Sequence, residues 1–310
     1  MPHPNQFSRR EFLKTAAVTA SATAFASSTI LAADSTAAAE PVIDIHQHTN
    51  YSGRTDEQLI AHQRAMGVTT SVLLPAGKMY GLDAECGGND TCVDLSKRLP
   101  KEYVYFANEV PYLSEAKATI TRFLKTGAIG IGEQKFRVLS DSGHLAKIAE
   151  IAAEFNVPIL LHFQETDYNL EFQRFYKTLE KYPKVNFIGH AQTWWANIDK
   201  DAKPGVLYPK GPVTPGGITD RYLSDHPNMY GDLSAGSGLG AIQRDEAHFK
   251  AFIERHQDKL MYGSDCNDKV GSGEACQGAQ TLAAVRKLAP TKAIERKLLY
   301  ENAKKLLRPS

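Results

Sequence analysis

The sequence predicts an α/β protein folded as a (β/α)8 barrel, the TIM-barrel architecture. From residue 42 onward, eight short runs rich in Val, Ile, Leu, Tyr and Phe alternate with amphipathic stretches. Such apolar runs are typical of parallel strands that are buried on both faces. Strands that alternate with helices indicate a parallel sheet, and eight such units favour a closed barrel over an open sheet.

The elements follow one another at regular intervals. The predicted strands are 42–48, 69–75, 103–109, 128–136, 157–163, 184–190, 228–235 and 259–265. The predicted helices are 56–67, 114–127, 142–155, 171–182, 245–256, 276–288 and 291–306. Ser114 is a suitable N-cap, and Gly67 and Gly127 suit helix ends.

Three connections that follow strand C-termini are long, at 76–90, 191–218 and 266–275. They are rich in Gly and Pro, and GSGLG at 236–240 has the same character. Barrel enzymes form their sites at the C-terminal ends of the strands. We therefore expect these segments to form the walls and the lid of a site.

Residues 1–39 have the pattern of an export signal. Arg9 and Arg10 precede a weakly hydrophobic, Ala- and Ser-rich run at 16–33, and small residues lead up to Glu40. The paired arginines resemble a twin-arginine signal, which predicts cleavage before Glu40. The sequence thus predicts a bacterial protein exported to the periplasm or secreted. It would use the twin-arginine machinery, keep no membrane span, and consist of a barrel domain at 40–310.

Composition excludes several classes of partner. The chain of 310 residues carries a formal net charge of +1, with 42% hydrophobic and 23% charged residues and no basic stripe. Nucleic acids and anionic membranes are therefore poor candidates, and a small-molecule substrate is expected. Composition leaves a homo-oligomer open.

The four cysteines are Cys86, Cys92, Cys266 and Cys276. An even number in an exported protein predicts disulfides, and the local pairs Cys86–Cys92 and Cys266–Cys276 are the simplest of three connectivities. A zinc site made of all four is disfavoured, because neither pair has the C-x2-C spacing.

Five side chains with metal-binding chemistry stand at predicted strand C-termini. His46 and His48 end the first strand, His162 the fifth, His190 the sixth and Asp265 the eighth. Residues i and i+2 of a strand share a face, so His46 and His48 are expected to project together. Imidazoles joined by a carboxylate suit a divalent cation, with zinc the first choice and one or two ions per chain.

The same segments carry a family resemblance. The motifs are DIHQH at 44–48, LLHF at 160–163, IGHA at 188–191, YGSD at 262–265 and ENAKKLL at 301–307. Together they resemble the amidohydrolase-related family of metal-dependent hydrolases and decarboxylases. The resemblance implies that His46, His48, His162 and Asp265 are metal ligands. It makes His190 either a further ligand or a catalytic group beside the metal-bound water.

The fourth strand contains a position at which the metal ligand differs between branches of that family. In some branches a carboxylate or a carboxylated lysine on this strand bridges two metals, which makes Glu133 a candidate ligand and Lys135 its rival. Alternatively, Glu133 and Lys135 form a buried ion pair. A third reading is substrate contact, with Arg137 gripping a substrate carboxylate.

We predict supporting roles for four further residues from their positions in the sequence alone. Asp44 is expected behind the ligands as an acceptor for a histidine N–H, and Asp232 could act similarly or touch substrate. Trp194 and Trp195 directly follow His190. They would form an apolar wall for substrate, or else pack against the barrel rim.

Three functions remain open from the sequence. The first is hydrolysis of an ester, lactone or amide, with Asp265 as general base and His190 stabilising the oxyanion. The second is non-oxidative decarboxylation of an aromatic or related acid on a similar ligand set. The third is metal-dependent binding without turnover.

Overall fold

The computed structural model describes residues 40–77 and 86–307. Its eight strands all fall within the predicted segments, which confirms the expected fold class. The strands are β1 Ile43–Gln47, β2 Thr70–Leu73, β3 Tyr103–Tyr105, β4 Ile131–Gln134, β5 Ile159–His162, β6 Phe187–His190, β7 Met229–Asp232 and β8 Leu260–Met261. The predicted signal at 1–39 lies outside the described residues and stays a prediction.

All strand pairs are parallel and run in sequence order around a barrel. The ladders join β1 to β3 through β2, and β4 to β8 through β5, β6 and β7. Ala107, just after β3, pairs with Ile131 of β4, which links the two sets. On the opposite side, the Ile45 N–H donates to the Tyr262 carbonyl at 3.1 Å, so β8 returns to β1. The barrel therefore closes without an unpaired edge.

Helices cover the outside of this barrel. They are α1 Asp56–Ala65, α2 Asn89–Arg98, α3 Ala116–Lys125, α4 Gly143–Phe155, α5 Tyr176–Lys181, α6 Gln192–Ala196, α7 Ile218–Asp225, α8 Ala235–Arg244, α9 Glu246–Arg255, α10 Gln277–Leu288, α11 Lys292–Arg296 and α12 Asn302–Leu307. The prediction that 236–240 is a site loop was wrong, because these glycines lie within α8. Among the described residues, no helix has the length and apolar character needed to cross a membrane.

A β-bulge in β1 decides which side chains enter the barrel. Asp44 pairs with Ser71 but Gln47 pairs with Leu73, so β1 holds one more residue than β2 across this interval. Strict alternation would place Ile43 and Ile45 on one face and the two histidines on the other. The extra residue shifts that alternation, and isoleucines and histidines all face inward.

The barrel interior is apolar at one end and polar at the other. Ten buried side chains fill the apolar end, and they are Ile43, Ile45, Val72, Leu74, Phe106, Leu160, Ile188, Met261, Ala303 and Leu307. The last two belong to α12, which therefore closes this end. The polar end lies at the strand C-termini and is called the mouth below.

Both tryptophans lie in the apolar layer between barrel and helices. Trp194 is fully buried, its ring stacks on Phe163 at 6.3 Å, and it packs on Gly189 of β6. Trp195 donates its indole N–H to the Asp232 carbonyl at 3.0 Å and contacts Phe249. This placement contradicts the substrate-wall interpretation and agrees with packing against the barrel.

Cys92, Cys266 and Cys276 are buried, and none of these three forms a disulfide in the structure, contrary to the predicted pairs. Cys92 is buried with its Sγ 3.7 Å from the Thr49 hydroxyl. The Sγ atoms of Cys266 and Cys276 are also 3.7 Å apart, well beyond the roughly 2.05 Å of a disulfide bond.

A buried ion pair outside the mouth gives a stability prediction. Asp220 of α7 accepts from His256 Nε2 at 2.6 Å and from two Arg255 nitrogens at 3.1 Å. We expect Asp220→Asn to lower the free energy of unfolding by about 2–3 kcal/mol, since the donors lose a charged acceptor. Urea unfolding measures this loss, with the exposed Asp201→Asn as the control.

The same pair sets the direction of a pH dependence. Burial would raise the pKa of Asp220, but the His256 and Arg255 contacts hold it below its ordinary value of 3.8. A depressed carboxyl pKa stabilises the fold above the ordinary value, and that contribution disappears as the pH falls through the native pKa. The stability difference between wild type and Asp220→Asn should therefore shrink in acid. An undiminished difference at about pH 2.5 would contradict the assignment.

Candidate metal centre at the barrel mouth

His46 in β1 and His48, directly after it, each point one ring nitrogen at the same place. His46 Nδ1 donates to Asp232 Oδ2 at 2.7 Å, and His48 Nδ1 donates to the Leu74 carbonyl at 2.7 Å. These bonds leave the Nε2 lone pairs of both rings facing each other, 3.1 Å apart. Two lone pairs held so close in a buried site call for a cation between them.

Two more histidines complete the ring. His190 Nδ1 is 2.9 Å from the Ser234 hydroxyl, which leaves its Nε2 directed into the mouth. His162 Nε2 donates to Gln164 Oε1 at 3.1 Å, while its Nδ1 faces Glu133 Oε1 at 2.5 Å. His46, His48 and His190 thus each have one nitrogen fixed by the protein and one presented to the mouth, whereas His162 meets Gln164 with one nitrogen and the mouth carboxylate Glu133 with the other.

Two carboxylates face the presented nitrogens. Glu133 Oε2 lies 3.7 Å from Nε2 of both His46 and His48. Asp265 Oδ1 lies 3.4 Å from His48 Nε2, and its Oδ2 is 3.5 Å from His190 Nε2. The structure therefore brings all six predicted ligands together. They are called the mouth cluster: His46, His48, Glu133, His162, His190 and Asp265.

Unsatisfied polar atoms show that this cluster suits a divalent cation. His190 Nε2 and Asp265 Oδ1 are buried and have no hydrogen-bond partner. Buried polar atoms are nearly always paired, so such atoms require an explanation. A metal ion, together with water or substrate held beside it, would supply partners for both atoms. Imidazole nitrogens with carboxylate oxygens are the donor set of zinc and similar borderline cations.

The electrostatics of the mouth point the same way. Burial would raise the pKa of Glu133 and of Asp265, but facing imidazoles hold both values well below the ordinary range. Burial would lower the pKa of His46, yet Asp265 and Asp232 raise it well above its usual value. The carboxylates thus attract positive charge into the mouth. A bound cation would supply that charge in place of protons.

The backbone beside the cluster adopts uncommon conformations. Ala191, Ala235 and Asp265 have positive φ values of 82°, 63° and 42°. Residues other than glycine seldom occupy this region, and Asp does so more readily than most. The Asp265 N–H donates to the His46 carbonyl at 2.9 Å, which fixes this turn against β1. Such strain is often found at functional sites.

Asp232 plays the supporting role expected of Asp44. Its Oδ2 accepts from His46 Nδ1 and from the Ser234 hydroxyl, 2.8 Å away. Asp44 instead accepts from the backbone N–H groups of His46 and Ser264, at 3.0 and 2.9 Å. Asp44 therefore positions the backbone of β1, and Asp232 sets the tautomer of His46.

This arrangement predicts the effect of Asp232→Asn. The amide removes the charge that the His46 N–H meets, so we expect metal affinity to fall about 10- to 100-fold. Competition with a fluorescent zinc chelator measures the affinity, and the exposed Asp225→Asn on α7 is the matched control. Equal affinities for Asp232→Asn and wild type would show that Asp232 does not support the ligands.

The two cations proposed for substrate binding follow β4. Lys135 is half-buried with its Nζ 5.5 Å from the centre of the Tyr168 ring. No ion pair between Lys135 and Glu133 lies within 4.0 Å in the described chain, so the ion-pair alternative loses support. Arg137 is exposed and donates to the Thr166 carbonyl.

Sequence reasoning missed three contributors to the mouth. Ser234 and Gln164 fix the rings of His190 and His162. Tyr51 packs edge-on to His48 at 5.1 Å and lies close enough to Asp265 for that carboxylate to act on its phenol. The negative charge of Asp265 and burial raise the Tyr51 pKa, so the phenol stays protonated and can donate. No spacing signal marked these residues, although Gln164 and Ser234 each stand two residues beyond a mouth-facing position.

Comparison with known proteins identifies a family model and several solved structures that are similar to this chain. Residues 83–308 match a family model described as amidohydrolase. No curated protein is matched. An uncharacterised TIM-barrel protein from Bordetella bronchiseptica superposes with a TM-score of 0.64 at 12% identity, covering 87% of this chain and 99% of the other.

Two further solved structures share the fold. The 2,6-dihydroxybenzoate decarboxylase from Rhizobium has a TM-score of 0.54 at 13% identity, with 87% of this chain and 99% of that chain covered. A putative 2-pyrone-4,6-dicarboxylic acid hydrolase from Pseudomonas putida has a TM-score of 0.59 at 15% identity, with 87% and 97% covered.

Proposed function

Because the chain belongs to the amidohydrolase family and is therefore an enzyme, we propose that it is a metal-dependent hydrolase of an ester, lactone or amide. His46, His48, His162 and Asp265 would hold the divalent cation, with Glu133 at its edge. When bound, such a cation polarises a carbonyl and lowers the pKa of water. Because the family is one of enzymes, the third hypothesis, metal-dependent binding without turnover, has no support.

The observation that carries this proposal is the pair of carboxylates in one mouth. Glu133 and Asp265 both lie within 4.0 Å of the same imidazole nitrogens. Hydrolysis needs a group that takes a proton from water. In a site with two carboxylates, one can accept this proton while the other keeps its negative charge as a metal ligand. Asp265 suits that role, because its Oδ1 has no hydrogen-bond partner.

The remaining side chains have defined tasks in this scheme. Asp265 would take the proton of the attacking water and pass it to the leaving group. His190 Nε2 faces the mouth and would stabilise the oxyanion, with its ring held by Ser234 at 2.9 Å. Glu133 would be either an edge ligand of one cation or a bridge between two.

Lys135 bears on the kind of substrate. Burial would lower its pKa, but the charges of Glu133 and Asp265 raise it, so the ammonium stays charged near the mouth. We propose that it binds an anionic group of the substrate. Arg137 lies further out, on the exposed surface, and could meet a second anionic group.

Decarboxylation is the second candidate, and the same Lys135 favours it. A cation beside a metal centre can hold the carboxylate that is to leave as CO2. In that reaction an acidic group must then protonate the substrate carbon. The two candidates share one site and differ in the bond that breaks.

The test is a substrate panel with metal removal. Aryl esters, lactones and amides are assayed for acid release, and hydroxybenzoate-like acids for CO2. Acid release that is lost after chelation and restored by zinc or manganese would support hydrolysis. Metal-dependent CO2 release without hydrolysis would replace the proposal by decarboxylation, and turnover that survives complete metal removal would overturn both.

Metal analysis tests the place of Glu133 independently. Two ions per chain, falling to one in Glu133→Ala, would make Glu133 a bridge. One ion per chain, retained in Glu133→Ala, would leave it at the edge of a mononuclear site. The number of ions per chain is measured by elemental analysis of the purified wild type and of the purified Glu133→Ala variant.

We also propose export by the twin-arginine route, from the pattern in residues 1–39. Replacing Arg9 and Arg10 together by lysine should keep the protein in the cytoplasm. Cell fractionation, with an N-terminal sequence of the exported form, tests this. Unchanged export of the double variant would contradict the twin-arginine assignment.

A further inference from the structure

Behind the wall of the mouth, three metal-binding side chains from separate elements meet in the interior. His62 belongs to α1, Cys266 follows β8, and Cys276 is the N-cap of α10. All three are 0% exposed. They are called the cysteine cluster below. Spacing along the sequence does not predict it, because His62 lies far from both cysteines along the chain.

The donor atoms have the spacing that a tetrahedral metal ion imposes. Cys266 Sγ and Cys276 Sγ are 3.7 Å apart, and His62 Nε2 lies 3.3 Å from Cys276 Sγ. Zinc bonds of about 2.3 Å to sulfur and about 2.0 Å to nitrogen place two sulfurs about 3.8 Å apart, and sulfur and nitrogen about 3.5 Å apart. All three donors lie within 4.8 Å of one another.

The surroundings of the sulfurs contribute a backbone N–H and offer a fourth metal ligand. The Ala279 N–H at the start of α10 donates to Cys276 Sγ at 3.3 Å, and a helix N-terminus stabilises negative charge. Asp268 Oδ2 is 4.0 Å from His62 Nε2, and Met66 Sδ is 3.7 Å from Cys276 Sγ. Either atom could complete four-coordination.

The cysteine cluster is separate from the mouth cluster. Asp265 points into the mouth, while the sulfur of the next residue, Cys266, lies 3.7 Å from the sulfur of Cys276 at the start of α10 and within 4.8 Å of the His62 donor atom in α1. The segment 266–276 packs tightly on α1, since a Cβ on Gly271 would overlap the His62 carbonyl and lie 3.0 Å from Ala65 Cβ. A metal ion bound by the cysteine cluster would therefore hold this segment, and with it Asp265, against α1.

We propose that His62, Cys266 and Cys276 form a second metal site, which binds a thiophilic closed-shell cation such as Zn²⁺ and anchors the segment after β8 to α1. Thiolates with imidazole are the ligands that such cations select. The ion would have a structural role, because the cluster is fully buried and lies outside the mouth.

Cobalt substitution distinguishes the two metal sites. The purified, thiol-reduced enzyme is stripped with a chelator and reloaded with Co²⁺. Cobalt bound by thiolates absorbs strongly in the near ultraviolet through sulfur-to-metal charge transfer, whereas the mouth cluster consists of imidazoles and carboxylates. The Cys86 thiol is near enough to His48 to act on its pKa, so Cys86→Ser is measured in parallel and should keep the absorption. We expect this absorption in the wild type. Its loss is expected in Cys276→Ser and in His62→Gln, with one metal equivalent fewer per chain.

The control is Cys92→Ser, which removes a buried thiol that contacts the Thr49 hydroxyl and is no member of the cluster, and it should keep the absorption. Circular dichroism shows whether each variant folds. If both cluster variants fail to fold, the absorption spectrum of the cobalt-loaded wild type still tests the proposal. Fully cobalt-loaded wild type without charge-transfer absorption would overturn the proposal. So would mass spectrometry showing Cys266 and Cys276 joined as a disulfide in the active enzyme.

Discussion

Asp265→Asn is expected to lower turnover on the order of 10³-fold while leaving the barrel folded. The change removes a ligand charge and the proposed proton acceptor at once, and general-base catalysis alone contributes about 10²- to 10⁴-fold. Folding should survive, because Asn tolerates the left-handed conformation of this position as well as Asp does. Its N–H would still reach the His46 carbonyl, as it does at 2.9 Å in the wild type.

The measurement is steady-state turnover on the best substrate of the panel, at saturating metal. Asp258→Asn is the matched control, because its carboxylate is 73% exposed and pairs only with Lys297 at the surface among the described contacts. A loss of metal without loss of fold would mark Asp265 chiefly as a ligand. Turnover within a few-fold of the wild type would contradict its placement in the reaction.

Gly263→Ala is expected to disable the metal centre from a position that touches no metal. A Cβ there would overlap Asp232 Oδ1 and lie 3.0 Å from Ser234 Cβ and 3.1 Å from His46 Cβ. These groups orient the rings of the mouth. Asp232 of β7 and His46 of β1 lie on the two strands that flank β8, so they cannot move apart without opening the barrel. We expect a loss of about 1–3 kcal/mol in the free energy of unfolding and an approximately 10- to 100-fold loss of metal affinity.

Gly240→Ala is the matched control for this variant. No atom lies within 4 Å of a Cβ built at Gly240, which sits within α8. Alanine there should stabilise the helix by roughly 0.5–1 kcal/mol. Urea unfolding and chelator competition measure both variants. If Gly263→Ala matched Gly240→Ala in both assays, the crowding at β8 would not constrain the metal centre.

The sequence alone determined the fold class and the strand ends that meet at the mouth. A barrel made of parallel strands brings all strand C-termini to one side, so histidines placed at those ends must converge. His162 and His190 illustrate this, since they stand opposite each other in the ladder between β5 and β6. Five residues of the mouth cluster could therefore be predicted from the strand ends. Glu133 came from the family resemblance, beside the alternatives of an ion pair and of substrate contact.

Tertiary structure decided how the ligands are supported. His46 and Ile45 both face inward only because of the bulge in β1, which no local pattern marks. Asp232 rather than Asp44 orients His46, because the choice depends on which neighbouring strand approaches the ring. Such contacts join residues almost two hundred positions apart, so spacing along the chain carries no signal for them.

The same limit explains the predictions that failed. Trp194 and Trp195 follow a site histidine, but α6 turns their rings into the apolar layer, where burial stabilises them more than exposure at the mouth would. The cysteines appeared as local pairs, yet Cys266 and Cys276 meet His62 from a distant helix. Sequence determines which side chains stand at the ends of which elements, and packing between elements determines what each of them faces.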